Sequence, residues 1–489
     1  PQTVRYAERA RGFLEWYEHG PRGLEQGFTL ERLPACARAG GTLQIALKTS
    51  AGWSSEASAE QRAAIFRDKS GNTVHYTDAF ARGADGREHA VRITQLGAGV
   101  ALEVETTGVA LPLLIDPLAW AEQQKLTASE GANDDALGHS VAVSGSLLAV
   151  GAYHDSDKAG NAGSVYPFVR SGTSWTAEPK VVASDGAASD EFGASVAMTG
   201  SHLAVGAPAA AKAAATNAGA VYVYTRAGNA WGGQKKLQPS EAGDKLGTSV
   251  ALDGTTLLVG APFDADQGTG SGSATVYVFD GANWGLQQKL VAADATAHAG
   301  DAFGTSVAVS GNTAVIGASN DADVRPAAGS AYVFVRSGVT WSFQAKLELA
   351  GGQDYDTAGQ SVAISGDTIA VGAPGESSKS VGAGTVYVWT RGGTKWTQQG
   401  SQLWASDSSA NSVFGTSLAL AADTLLVGAP GDTNSRGAAY VLTRAGSIWT
   451  QAPKLTASAG AANHGYGTSV TLAARPDAGG DARGNAGKG

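Results

Sequence analysis

Residues 301–347 read DAFGTSVAVSGNTAVIGASNDADVRPAAGSAYVFVRSGVTWSFQAKL. Four short segments stand out: FGTSVAVS (303–310), TAVIGA (313–318), SAYVFVR (330–336) and WSFQAKL (341–347). Each is rich in Val, Ile, Tyr, Phe or Trp, and Gly, Ser, Asn and Asp bound it, which is the punctuation of β-strands. No apolar stripe of helical period runs through the stretch. We label the segments A to D in chain order.

The same four landmarks recur outward in both directions. The serine of segment A returns as Ser140, Ser195, Ser249, Ser306, Ser361, Ser417 and Ser469, at spacings of 55, 54, 57, 55, 56 and 52. Gly-Ala closes segment B at Gly151, Gly206, Gly260, Gly317, Gly372 and Gly428. Segment C carries Tyr166, Tyr222, Tyr277, Tyr332, Tyr387 and Tyr440, and segment D opens on Trp175, Trp231, Trp284, Trp341, Trp396 and Trp449. Four antiparallel strands repeated radially describe a β-propeller. Pairs such as Ser144-Gly145, Asp253-Gly254 and Ser365-Gly366 supply the positive φ of tight A–B turns. Gly-Ala leaves no bulk where inner strands crowd. Lys125, Lys236, Lys289, Lys346 and Lys454 on segment D suit an outer edge that must not aggregate, and the Trp and Tyr read as packing between blades. Residues 120–126 form a D segment ahead of the first A, and 466–472 an A segment with no B or C after it. We therefore expect six full blades and a partial seventh in which these two orphans pair, closing the ring with an N-terminal strand; a six-bladed ring with frayed ends is the alternative.

Composition narrows the function. Glycine is 67 of 489 residues, about 14 % and roughly twice the usual share, without collagen periodicity. Charged residues are 16 %, hydrophobic ones 43 %, and no apolar run approaches the roughly 20 residues of a membrane span. A net charge of −9 argues against nucleic acid or an anionic membrane as partner. Cys36 is the only cysteine, so no disulfide can form within the chain and no thiolate cluster can hold metal. Pro1 in place of an initiator methionine is what a processed or clipped product would show.

The units Asp-x-Phe-Gly-x-Ser-Val, Val-Gly-Ala-Pro and Tyr-Val-Phe resemble FG-GAP repeats, as in the integrin α-chain propeller and many bacterial surface proteins. Phe192-Gly193, Phe303-Gly304 and Phe414-Gly415 carry the first half. Gly206-Ala207-Pro208, Gly260-Ala261-Pro262, Gly372-Ala373-Pro374 and Gly428-Ala429-Pro430 carry the second. The resemblance implies an all-β FG-GAP propeller over residues 119–473 and an extracellular or cell-surface location. Calcium-binding members carry Asp-x-Asp-x-Asp-Gly-x-x-Asp between A and B. Here that link is a bare turn such as Val309–Thr313, too poor in oxygen for six to eight ligands. Residues 1–118 lack the repeat. Short alternating segments at 42–47, 89–94 and 101–106 predict a small β-sandwich-like domain with one short helix over 59–66, similar to the leader domain ahead of FG-GAP repeats in some bacterial exported proteins. Residues 474–489, rich in Gly and Ala, read as a disordered tail.

In a meandering blade the B–C and D–A loops share one face, and here they are the long ones, where binding usually lives. Residues 121–489 carry 22 basic and 30 acidic side chains, with the acids concentrated on this face. Arg170, Arg226, Arg336, Arg391 and Arg444 open the C–D turns on the other. Three B–C loops carry Asp-x-Asp: Asp155 and Asp157, Asp264 and Asp266, Asp321 and Asp323. These are weak calcium candidates, helped by D–A acids such as Asp134, Asp190 or Asp301. The eight histidines form no His-x-His or His-Glu-x-x-His spacing, and no Gly-x-Ser-x-Gly elbow precedes a helix. The expectation is a non-enzymatic binding or adhesion protein, a monomeric propeller whose acidic loop face takes a protein or glycan. A polysaccharide lyase or hydrolase on the propeller funnel is the alternative that turnover would reveal. A purely structural array is the one that failure to capture any partner would reveal.

Overall fold

A computed structural model of the chain describes all residues except 1–12, 21–22, 34–40, 50, 59–60, 62, 70–72, 85–87, 133, 173, 213–214, 239–240, 294–298, 350–351, 453, 458–461 and 474–489. Cys36, His298 and the expected disordered tail lie outside the described residues. The chain divides into two compact units. One holds residues 1–125 with 440–443 and 449–461, and the other holds 126–439, 444–448 and 462–489.

Residues 13–121 form β1 (Phe13–Gly20), β2 (Gly23–Leu30), β3 (Thr42–Leu47), β4 (Trp53–Ala57), β5 (Ala63–Asp68), β6 (Thr73–Arg82), β7 (Glu88–Leu96), β8 (Gly99–Glu105) and β9 (Leu113–Ala121). The ladder runs β1-β2-β9-β6-β7-β8-β3, with β5 also on β6 and β4 on β5. β4 folds back over β7 and β8, so the strands enclose one core that includes Phe28, Leu43, Ile93, Leu102 and Ile115. The helix expected over 59–66 is replaced by β5. Its Phe66 meets Tyr76 of β6 edge-on at 5.3 Å, a cross-strand contact that outweighs the helix propensity of the alanines.

Six four-stranded antiparallel sheets follow, at 137–177, 195–237, 249–290, 303–347, 361–398 and 417–451, and we number them blades 1 to 6. Strand B is apolar at almost every position because both of its faces are covered. In blades 2 to 5 all six of its residues are buried. Strand D is the outer edge and alternates between half-buried and exposed, as the Trp…Lys pattern requires.

The recurring serine holds neighbouring blades together. Each hydroxyl donates to the carbonyl of the second glycine-motif residue one blade on: Ser140 to Gly193, Ser195 to Gly247, Ser249 to Gly304, Ser306 to Gly359, Ser361 to Gly415 and Ser417 to Gly467, at 2.7 to 2.9 Å. Ser469 makes the seventh bond, 2.6 Å back to Gly138 in strand A of blade 1. The ring therefore closes on itself through a seventh unit whose A segment alone lies among the described residues.

Closure falls on strand A of blade 1, not on the expected N-terminal segment 120–126. Trp120 and Ala121 instead extend β9, opposite His75 and Val74 of β6, and 122–128 carry no strand. The apolar run 113–121 continues a ladder already begun, and its pairing stops where Glu122 begins a polar, exposed stretch. Leu126 and Ala128 then pack on the core of blade 1. Deleting 466–473 removes the Tyr466–Gly437 bridge and the Ser417–Gly467 and Ser469–Gly138 bonds. It is expected to lower the thermal midpoint of all blades together in calorimetry. A shift confined to a small leading transition would contradict closure at Ser469.

Candidate binding face and its ion-paired loops

Each B–C loop starts from the same backbone frame. The residue three after the Gly-Ala alanine sends its carbonyl to the glycine that precedes strand C: Asp155 to Gly163, Ala210 to Gly219, Asp264 to Gly272, Asp321 to Gly329, Glu376 to Gly384 and Asp432 to Gly437. Five of these six frame positions are acidic, and all five acids are buried to within 4 % of full. A buried carboxylate demands donors.

The Asp-x-Asp loops supply them internally. Asp321 accepts from the Asp323 N–H at 3.0 Å, closing an Asx turn, and from the hydroxyls of Ser330 (2.5 Å) and Tyr332 (3.0 Å). The Lys346 ammonium, rising from strand D, bridges Asp321 at 2.8 Å and Asp323 at 2.5 Å. Asp264 repeats the scheme with the Asp266 N–H, Ser273 and Lys289, whose ammonium lies 2.5 Å from both acids. Asp155 does so with the Asp157 N–H, Ser164, Tyr166 and Lys180, and Lys180 also reaches Asp157 and Glu130. Burial pushes the Asp155, Asp264 and Asp321 carboxyls up, but these hydroxyls, turn N–H groups and lysines together hold them below the ordinary carboxylate range.

All six calcium candidates are thus brought together in pairs, and each pair already encloses an ammonium. A metal ion would have to displace a lysine. Among the described residues no three His, Cys, Asp or Glu side chains converge as a metal cluster. The D–A acids do other work. Asp135, Asp190, Asp244 and Asp356 each accept the N–H of the residue three before them, at 2.6 to 2.8 Å, and so cap their own turns. Asp301 is buried at the same repeat position, whereas Asp134 is exposed.

The arginines of the opposite face are equally engaged. Arg391 pairs with Asp367 in its own A–B turn at 2.5 Å, donates to Thr313 of blade 4 at 2.9 Å and lies over Trp396. Arg336 reaches Asn312 and Thr256, and Arg444 reaches Asp423 and Thr368, in the same way. Arg226 forms a bidentate pair with Glu178 of blade 1. They staple neighbouring blades. Trp341 and Trp396 do likewise, donating from Nε1 to Gln287 and Gln344 of the preceding blade at 2.8 Å. The packing role expected of the repeat tryptophans is what these two show.

Beside its exposed charges, the long-loop face also offers apolar side chains to solvent. Phe263, Val324 and Val381 on the B–C loops of blades 3, 4 and 5 are 52 %, 60 % and 71 % exposed, and Tyr355 on the D–A loop into blade 5 is 67 % exposed. Reading the acids alone misses them, because single apolar residues in polar loops carry no periodic signal.

A sequence profile of the FG-GAP repeat matches residues 120–168, 175–224, 231–279, 284–334, 341–389 and 396–442. Each match runs from a Trp-led segment through the next strand C, so from the second match onward the family unit straddles two blades. No curated protein matches the chain significantly. Among solved structures, a chain of the crystal structure of the mitotic checkpoint complex is 13 % identical, with a TM-score of 0.44, over 72 % of this chain and 91 % of that one. Sqt1 from Chaetomium thermophilum is 18 % identical, with a TM-score of 0.40, over 66 % and 72 %. With six profile matches laid over six blades joined by the serine and glycine of the motif, the chain belongs to the FG-GAP repeat family.

Proposed function

We propose that this repeat scaffold is a non-catalytic adhesion or binding protein, working outside the cell or on its surface, and that its long-loop face takes a protein or glycan ligand. The observation that carries the reading is the row of exposed Phe263, Val324, Tyr355 and Val381 on consecutive blades of that face. Exposed aromatic and aliphatic side chains on loops held rigid from beneath make the kind of anchors on which interfaces concentrate their energy. The lysine-bridged aspartates supply the rigidity. Extracellular placement is supported by the resemblance to bacterial surface proteins.

The test is a screen of the full chain against glycans and cell-surface proteins, repeated with Phe263, Tyr355 and Val381 all changed to serine. Captured ligand should bind the variant at least tenfold more weakly, with the thermal midpoint nearly unchanged because these side chains are exposed. Undiminished capture would move the site elsewhere, and turnover of a polysaccharide would favour the enzymatic alternative.

A further inference from the structure

Blade 5 breaks the ion-pair scheme on one side only. The acid is kept: Glu376 stands where blades 1, 3 and 4 have Asp155, Asp264 and Asp321, and it is 2 % exposed. Its Oε1 accepts the Ser378 N–H at 2.9 Å, reproducing the turn. The lysine is gone. Val181 pairs with Val165 in blade 1 as Leu403 pairs with Val386 in blade 5, so the residue before each is equivalent, and Lys180 becomes Gln402. Gln402 donates to the Tyr387 hydroxyl at 3.2 Å. Thr385, in the place of the donating serine, turns to the Leu403 carbonyl at 2.8 Å. Glu376 Oε2 is left buried with no hydrogen-bond partner.

A second carboxylate lies beside it. Asp356 is 1 % exposed and its carbonyl accepts the N–H of Gly375, the neighbour of Glu376. Burial pushes the Asp356 carboxyl up, and the Glu376 charge adds to that push. Burial also pushes the Tyr387 phenol up to about 12, with Asp356 and Glu376 contributing. The nearby cations are engaged elsewhere: Arg325 pairs with Asp354 at 3.7 Å, and Lys379 lies over the Trp404 ring. Blade 2 shows the converse. There Ala210 replaces the acid, and Lys236 turns to Asp185 at 2.8 Å. Acid without lysine is thus peculiar to blade 5 among these five blades.

We propose that blade 5 binds a divalent cation from solution, of the oxygen-ligated calcium class, at Glu376 and Asp356, in the place where blades 1, 3 and 4 insert a lysine ammonium. The unpartnered Oε2 supplies one ligand and Asp356 a second. The Tyr387 hydroxyl oxygen, loop carbonyls and water provide the remainder that calcium requires. Two carboxylates match a double positive charge where one ammonium would leave a residual negative one. The proposal does not rest on the exposed apolar row, and E376Q and Q402K leave that row in place, so either reading can fail without the other.

Calorimetry of the chelator-treated full chain, with and without 10 mM CaCl2, tests it. The wild type should gain midpoint with calcium, by mass action on the folded state. A dissociation constant near 10⁻⁴–10⁻³ M is expected, the weak range of extracellular modules. E376Q should lose the gain. Q402K should show a higher midpoint without calcium and no response to it, because an ammonium then fills the place. Titration calorimetry should give one site per wild-type chain and none for Q402K. No calcium response in the wild type overturns the proposal. So does a response that survives E376Q and Q402K but disappears on changing Asp264 and Asp266 to Asn. A midpoint that rises from pH 8 to pH 5 without any calcium response would overturn it in favour of a shared proton.

Discussion

Changing Lys346 to methionine is expected to destabilise the repeat region by about 3–5 kcal/mol at neutral pH, the cost of removing one partner from a buried ion pair. Asp321 and Asp323 are 4 % and 14 % exposed at their side chains, and they would face each other without the ammonium between them. The pH dependence has a definite sign. The wild-type Asp321 carboxyl is held low, so its contribution is complete above the unfolded value near 3.9 and is lost as pH falls through the lower folded value. In the variant, burial and the Asp323 charge are opposed only by the Ser330, Tyr332 and Asp323 N–H donors, so the folded carboxyl rises from its wild-type position and folding favours its protonation more. The gap between the two proteins should therefore be widest near pH 7 and should narrow towards pH 4. Urea unfolding at pH 7 and pH 4 checks both points. An equal loss at the two pH values would mean that Lys346 contributes by packing over the Tyr332 ring rather than by charge.

Gly317→Ala should cost about 3 kcal/mol or more, although it adds a single methyl group. A Cβ at this position would lie 2.0 Å from the Gly359 carbonyl oxygen of blade 5 and 2.5 Å from Ser306 Oγ. The first obstacle is backbone and cannot rotate away. The second is the hydroxyl whose bond to that same carbonyl joins blades 4 and 5. A control in the same blade separates crowding from conformation. Gly311 has φ +57 and open space around it. Gly311→Ala should therefore cost only the strain of a left-handed alanine, about 1 kcal/mol. Chemical denaturation of the two variants measures the difference. Similar losses at both positions would show that the blades can separate slightly and that Gly317 is not a spacer.

Much of this was legible in the chain. The seven serines, the Gly-Ala pairs and the Trp-led segments are close-range features with fixed spacing, and the bond each serine makes falls at the same place in every repeat. The expected strands at 42–47, 89–94 and 101–106 correspond to β3, β7 and β8. The Asp-x-Asp loops were visible, but their partner was not. The lysine that bridges each lies 23 residues after the second aspartate: Asp157 to Lys180, Asp266 to Lys289 and Asp323 to Lys346. That constant interval is a readable signal, but an edge lysine also suits a strand that must not aggregate, so the interval does not by itself identify a pair. It has meaning only once strand D is laid in register beside strand C, which places Lys346 opposite Tyr332 and over its ring.

The sequence by itself therefore determined the all-β class, the six-fold repeat and the family, because these follow from local propensity, turn chemistry and repetition along one chain. Tertiary structure alone decided what the charges do. An aspartate's role depends on which cation shares its pocket, and that pocket is assembled from two loops and a strand tens of residues apart. The same holds for the closing bond between Ser469 and Gly138, whose residues are 331 positions apart and meet only when the ring is complete. It holds for Glu376 too, an unremarkable acid in sequence, whose unpartnered oxygen appears only when its blade is compared in space with the three that carry a lysine.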